Sequence, residues 1–165
     1  MSKEKIKISL CDLANDLNGY DNKSIPIGIG YIASYCKKFH GDSVDIKVHR
    51  SYTSFWNDVK DIPPDIAGFG SYDWNYNLTL AAIKKVKQLN PSCITVLGGA
   101  NAEINLNDNK VFLERNKTVD FVVYGDVFYE IVTLGEPKQL FGQIDHRIEI
   151  SAKCIRAREG LFDAS

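Results

Sequence analysis

Hydrophobic residues in this chain fall into five short runs separated by stretches of helical period. Residues 5–11 (KIKISLC) alternate apolar and polar positions and predict a first strand that ends at Asp12. Residues 12–24 (DLANDLNGYDNKS) are rich in Asn, Asp and Gly, which predicts a polar loop of about a dozen residues, long for an α/β connection. Pro26 then opens a helix, where its fixed φ costs nothing. Ile29, Ile32, Ala33 and Cys36 form the apolar stripe of that helix, and His40-Gly41 closes it. Residues 44–48 alternate again as a second strand, and residues 54–62 predict a short helix stopped by Pro63-Pro64.

The pattern then repeats. Residues 65–70 are mostly apolar, as expected of a strand covered on both faces. Asp73 or Asn75 caps a long helix with Leu78, Ala82, Val86 and Leu89 as its buried stripe. Lys84, Lys85, Lys87 and Gln88 form its wet face, and Asn90-Pro91 its stop. Residues 93–97 predict a fourth strand entering Gly98-Gly99, residues 111–115 a helical turn, and residues 119–124 a fifth strand. Residues 126–134 predict a final helix with Asp126 at its positive end. Five strands alternating with helices predict an α/β fold. It is a five-stranded parallel sheet in flavodoxin-like (Rossmann-like) order, with right-handed crossovers and helices on both faces. Residues 1–136 make this domain. Residues 137–165, with weak alternation at Ile148 and Ile150 and basic Lys153, Arg156 and Arg158, read as an appendage or linker.

Composition narrows the function. Twenty basic against twenty-one acidic side chains among 165 residues give a net charge of −1, so no field draws the chain to nucleic acid or anionic lipid. No apolar run approaches the ~20 residues of a membrane span, and the first residues lack an apolar signal core. Cys11, Cys36, Cys93 and Cys154 are too scattered for a disulfide framework or a zinc site, which suits reduced thiols in a cytoplasmic protein.

In an open parallel sheet, ligands bind beyond the carboxyl ends of the strands, so the residues just after each strand carry the functional signal. Asp12 follows the first strand, Gly70-Ser71-Tyr72 the third, Gly98-Gly99-Ala100-Asn101 the fourth and Gly125-Asp126 the fifth. Strand-to-helix turns favour glycine on their own account. Three such exits in register along one edge, though, outline a slot where a ligand can approach bare backbone. Asp12, Asp73, Glu103 and Asp126 either hold polar groups of that ligand or serve as helix caps and solvated carboxylates. Tyr20, Tyr72, Trp74 and Tyr76 either flank a flat ligand or pack their loops.

Other signals carry less. Residues 28–33 (GIGYIA) spell the dinucleotide fingerprint G-x-G-x-x-A, but the glycines lie inside a helix behind Pro26 rather than at a tight turn out of a strand. Small residues there suit close packing of helix on sheet, or of a ligand on the helix. His40 at a helix end, His49 just past a strand and His146 in the appendage read as surface residues. Serine nucleophile elbows, phosphate loops and closely spaced metal-ligand pairs are missing.

Four ordered blocks then resemble a family: PIGIGYIA at 26–33, PDIAGFGS at 64–71, IK…NP…VLGG between 83 and 99, and VDFVVYGD at 119–126. Together they are similar to the cobalamin-binding domain that precedes the catalytic barrel of cobalamin-dependent radical SAM enzymes, over about residues 4–136. The resemblance implies cobalamin at the carboxyl edge of the sheet, its dimethylbenzimidazole tail displaced from cobalt into a slot beside the third and fourth strands. By motif position Gly70 and Ser71 line that slot, with Gly98, Gly99 and Ala100 opposite, and Gly125-Asp126 match the Gly-Glu that follows the fifth strand. A narrow crevice with small walls and backbone donors suits a flat heterocycle on a long tail.

Three departures sharpen the expectation. Methionine-synthase-type domains place a cobalt-ligating His in Asp-x-His-x-x-Gly after the first strand, and residues 12–24 hold no histidine. The radical SAM relatives also lack it, which favours the reduced cobalt that methyl transfer uses. Asn101 stands where relatives often carry His or Pro, which puts contacts from that loop in doubt. The C-x-x-x-C-x-x-C motif of an iron–sulfur cluster is absent from these residues, so they imply cofactor binding without radical chemistry. The expected chain is a split or truncated corrinoid module, serving a radical SAM domain or subunit in trans and not catalytic alone. A ligand-free regulatory or interaction module, or a small flavin- or nucleotide-binding protein, are the competing readings. Gly99→Leu and Ser71→Trp are expected to block the slot without unfolding the protein.

Overall fold

A computed structural model describes residues 5–14, 25–102 and 106–123. The strands are β1 (Ile6–Ala14), β2 (Val44–Ser51), β3 (Ile66–Gly70), β4 (Ile94–Gly98) and β5 (Phe121–Val122). The helices are α1 (Ile27–His40), α2 (Tyr52–Val59), α3 (Tyr76–Leu89) and α4 (Leu106–Arg115). All strand pairs are parallel and the order is β2-β1-β3-β4-β5, the flavodoxin-like order expected from the alternating pattern.

The main core lies between one face of the sheet and α2, α3 and α4. Cys11 and Leu13 of β1, Ala67 and Phe69 of β3, Leu97 and Val122 meet Phe55, Val59, Ala82, Ile83 and Val86, with Phe112 and Leu113 packed alongside. Right-handed crossovers put α1 on the opposite face, against β1 and β2. Gly68 belongs to that face too, because a Cβ there would come within 2.9 Å of Leu10 Cδ2. Ile29 is the buried residue of α1, whereas Tyr31, Ile32 and Phe39 are about half exposed. Burial pushes the thiols of Cys11 and Cys93 up, Cys93 to about 11, and Cys11, Cys36 and Cys93 are free.

The sequence reading needs correction at several elements. Asp12 does not begin a loop: β1 continues to Ala14, because Leu13 extends the apolar alternation and is buried in the core. The stripe of α3 is rotated by one position, with Thr79 and Ile83 buried beside Ala82 and Val86 while Leu89 is exposed. Lys87 leaves the wet face, since its ammonium sits 2.7 Å from Asp120 Oδ2 and donates to Cys93 O. Asp120 also accepts from Thr95 N–H and hydroxyl, so one carboxylate ties α3, β4 and the start of β5 at the amino edge. The expected turn at 111–115 is the end of a ten-residue helix. Ile32 is exposed rather than part of the buried stripe of α1. Residues 15–24 of the polar loop, Tyr124, the helix expected at 126–134, the boundary at 136 and the appendage 137–165 with His146 and Cys154 lie outside the described residues.

Candidate functional site

The sheet divides at the carboxyl ends of β1 and β3. These two strands pair as far as Cys11 and Phe69. Past an irregularity β1 stays with β2, out to the Ala14–Ser51 pair, while β3 stays with β4, out to Gly70–Gly98. The two strand ends therefore part after Cys11 and Phe69. This is the topological switch point, where open α/β sheets hold their ligands.

Asn75 spans the gap. It stands at the N-cap position of α3, but its side chain makes no capping bond to the helix. Instead its Nδ2 donates to Leu13 O and to Gly70 O, each at 3.2 Å, and its Oδ1 accepts from Tyr72 N–H at 2.8 Å. The residue is 2% exposed, so one amide holds both sides of the crevice and the loop between β3 and α3. Sequence reading offered Asn75 only as a cap. Asp73, the other candidate, is exposed and caps nothing.

Asp12 and Tyr72 close in over Gly70. A Cβ on Gly70 would lie 3.4 Å from Tyr72 Cε2 and 3.7 Å from Asp12 Oδ1, so the bare Cα is flanked by a ring and a carboxylate. Burial raises the Asp12 carboxyl above its ordinary range. The Tyr72 phenol is raised too, first by burial and then by the Asp12 charge. Trp74 lies beside Tyr72, its ring stacked at 4.6 Å and 3°, and Tyr76 is half-buried at the start of α3.

The exits of β3 and β4 are joined directly. Ser71 N–H donates to Gly98 O at 2.7 Å, and Asn101 N–H donates to Ser71 O at 3.2 Å. Gly99, with φ +100°, makes this approach possible, because a Cβ there would lie 2.7 Å from Ser71 O and 2.9 Å from Ser71 N. Gly98 faces Val123, and Ala100, exposed, opens a 3-10 turn (Ala100–Ala102). Ser71 is wholly buried, and its hydroxyl has no hydrogen-bond partner among the described residues. An orphaned buried hydroxyl costs about 1–3 kcal/mol, so Ser71 has an unused hydrogen bond to give to a polar atom of a ligand or a water.

Asp12, Gly70 and Tyr72 thus gather on the β1 side of the switch, and Ser71, Gly98, Gly99 and Asn101 on the β4 side, with Asn75 between. Tyr20, Glu103, Gly125 and Asp126 lie outside the described residues. The substitutions expected to block a slot need revision. A side chain at Gly99 strikes the Ser71 backbone, and a tryptophan at buried Ser71 overpacks the core, so both disturb the fold itself.

Two further expectations change. The glycines of the GIGYIA run do not serve close packing of helix on sheet, since a Cβ at Gly28 or Gly30 would meet nothing within 4 Å among the described residues; packing of a ligand on the helix is the alternative that stands. His49 is not a surface residue: it lies within β2, 2% exposed, edge-on to Phe55 at 5.6 Å. Neither ring nitrogen has a hydrogen bond among the described residues, although Nδ1 comes within 3.7 Å of Asp58 Oδ2. Burial lowers its pKa below 6.5, opposed by Asp58 and reinforced by Lys47.

That makes a test. A depressed histidine is neutral in the fold, so the unfolded chain takes up its proton first. Stability present above about pH 6.5 is lost as pH falls from there to the folded value, at up to about 1.4 kcal/mol per pH unit. Denaturant melts of the protein and of His49→Phe at pH 7.5, 6.0 and 5.0 are expected to diverge in that window, the variant losing less. Parallel losses would remove His49 from the account.

Among the described residues no group of three His, Cys, Asp or Glu is placed to hold a metal ion, and no helix is long and apolar enough to cross a membrane. An open cleft of about 360 Å³ beside Leu80, Lys84 and Arg115 sits at the turn from α4 into β5, away from the carboxyl edge. The orphaned Ser71 hydroxyl and the Asp12 carboxylate fit a ligand with polar heteroatoms and a polar periphery, whereas the bare faces of Gly70 and Gly98 are covered by Tyr72, Asp12 and Val123. A search of curated proteins finds no match. The family model of the B12 binding domain matches residues 18–129, which is more than half of the chain and takes in β3, β4, β5 and the switch-point loops after β3 and β4. Strand order and matched span agree: the chain belongs to the B12-binding domain family, whose ligand is cobalamin.

Proposed function

We propose that the chain carries cobalamin base-off, with the nucleotide tail entering beside Ser71 and with no histidine ligand on the lower face, as a module for a radical SAM methyltransferase-type partner in trans. When bound, cobalamin supplies a cobalt centre suited to methyl transfer. The chain's own residues bind and orient. Ser71 supplies a hydroxyl and Asp12 an acceptor for the amide-bearing periphery, while Gly70, Gly98 and Gly99 let the strand exits that carry them pack closely. Tyr72, Ala100 and Asn101 edge the site, and by resemblance Gly125 and Asp126 complete it. Residues 1–136 form the binding unit in this reading, and residues 12–24 contain no histidine to approach cobalt.

The observation that carries the tail site is the Ser71 hydroxyl, buried and unbonded where the β3 and β4 exits meet. Because Ser71 is wholly buried, a tail reaching it shifts the loop after β3.

Ser71→Ala tests this without blocking anything. Removing an unsatisfied buried hydroxyl leaves stability equal or raises it by about 1 kcal/mol. The same change removes a hydrogen bond to the tail and is expected to weaken cobalamin binding about ten-fold, since a bond of about 1.4 kcal/mol corresponds to that factor. Hydroxocobalamin titration and thermal melts of both proteins read the two effects. Unchanged affinity with a base-on visible spectrum would send the tail elsewhere.

A further inference from the structure

We propose that the outer face of Trp74, backed by the Tyr72 ring stacked behind it, is a plate on which the flat macrocycle of the cofactor rests, a contact separate from the tail site. This deepens the cobalamin reading and rests on it. Trp74 is 74% exposed, yet its indole is not loose, because it stacks parallel on the Tyr72 ring, with centroids 4.6 Å apart and planes 3° from parallel. Tyr72 in turn is fixed at both ends. Its backbone N–H donates to Asn75 Oδ1, and its ring edge lies over Gly70. The plate is therefore mounted on the staple that joins β1 to β3, at the mouth of the switch-point crevice.

The chain holds one other tryptophan, Trp56, which makes a similar stack with Tyr52 at 6.5 Å and 3°. That pair packs against the core. The Tyr72–Trp74 pair has one ring turned to solvent, so the outer indole face is oriented in advance and left uncovered by the described residues. Aromatic rings preorganised in this way take flat conjugated partners by stacking, at little entropic cost. The ligand class that fits is a conjugated ring system wider than an indole, polar at its rim, lying across the carboxyl edge.

A corrinoid without the nucleotide tail separates this contact from the tail site. Dicyanocobinamide and hydroxocobalamin are titrated into the parent protein, Trp74→Ala, Trp74→Phe and Ser71→Ala, with thermal melts as a folding control. Trp74→Ala is expected to weaken both corrinoids about ten-fold while melting with the parent, because the indole is exposed. Trp74→Phe keeps affinity within about three-fold, since a ring remains. Ser71→Ala weakens the tailed corrinoid alone. Parent-like binding of both corrinoids to Trp74→Ala overturns the plate, and it leaves the tail site standing if Ser71→Ala still loses hydroxocobalamin. Loss in Trp74→Ala with none in Ser71→Ala does the reverse. A parent protein that retains neither corrinoid overturns both.

Discussion

Asn75→Asp is expected to destabilise the fold by about 3–5 kcal/mol at pH 7, the cost of a buried charge with wrong partners. The native amide donates to Leu13 O and Gly70 O through Nδ2 and accepts from Tyr72 N–H through Oδ1. In the variant the accepting oxygen survives, but the second oxygen faces two carbonyl oxygens at the former donor distance. A residue 2% exposed offers that charge no water. Asn75→Ala loses the same bonds without adding charge and is expected to cost about 2–3 kcal/mol. The difference between the two variants is pH-dependent. Burial and repulsion raise the introduced carboxyl's pKa in the fold, so its charge penalty is absent below the ordinary ~3.9 and grows as pH rises through the shifted value. Melts near pH 4 are thus expected to bring the Asp variant towards the Ala variant, each compared with the parent at the same pH. An Asp variant that melts with the parent at pH 7 would mean that the amide does not hold the two strands.

That staple shows what could be read from the chain and what could not. The five-stranded parallel sheet, its order and the placing of α1 and α3 follow from local period and from Pro26, Pro63-Pro64 and Asn90-Pro91, all signals carried within a few residues. Ser71, Gly70 and the Gly98-Gly99 pair were legible as a group because strand exits are where short turns must fall. Asn75 was not. Its sequence context is that of a cap, and its actual partners, Leu13 and Gly70, are chosen by tertiary pairing. His49 misled because the alternation of residues 44–48 ends the second strand at Val48, whereas β2 runs on to Ser51 and α2 folds Phe55 against the imidazole. Lys87 sat among solvated lysines in sequence and was recruited by Asp120, which only the β4–β5 pairing brings near. Asp12 was expected just past the first strand, and it lies at the carboxyl edge of the sheet, but on the strand rather than in a loop. Its carboxylate therefore has a fixed position over Gly70.

Gly99→Ala is expected to cost about 3 kcal/mol and to lower the melting temperature by about 10 °C, a large loss for one methyl group at an exposed position. Two independent effects add. A φ of +100° lies beyond the left-handed region that side chains tolerate, so strain arises whatever the space around it. The added Cβ also meets backbone, with Ser71 O at 2.7 Å and Ser71 N at 2.9 Å. Neither atom yields easily, because Ser71 N–H is bonded to Gly98 O and Ser71 O accepts from Asn101 N–H. Relief would require breaking the junction between the β3 and β4 exits, the same junction that buries the Ser71 hydroxyl. The variant should therefore lose cobalamin affinity along with stability, whereas Ser71→Ala loses affinity alone. Gly98→Ala is the matched control. Its Cβ would meet Val123 at 3.6 Å and 3.9 Å, ordinary contact distances, and it is expected to melt close to the parent. If Gly99→Ala melts with that control, the tight approach of the two exits is not a requirement of the fold, and the burial of Ser71 no longer follows from it.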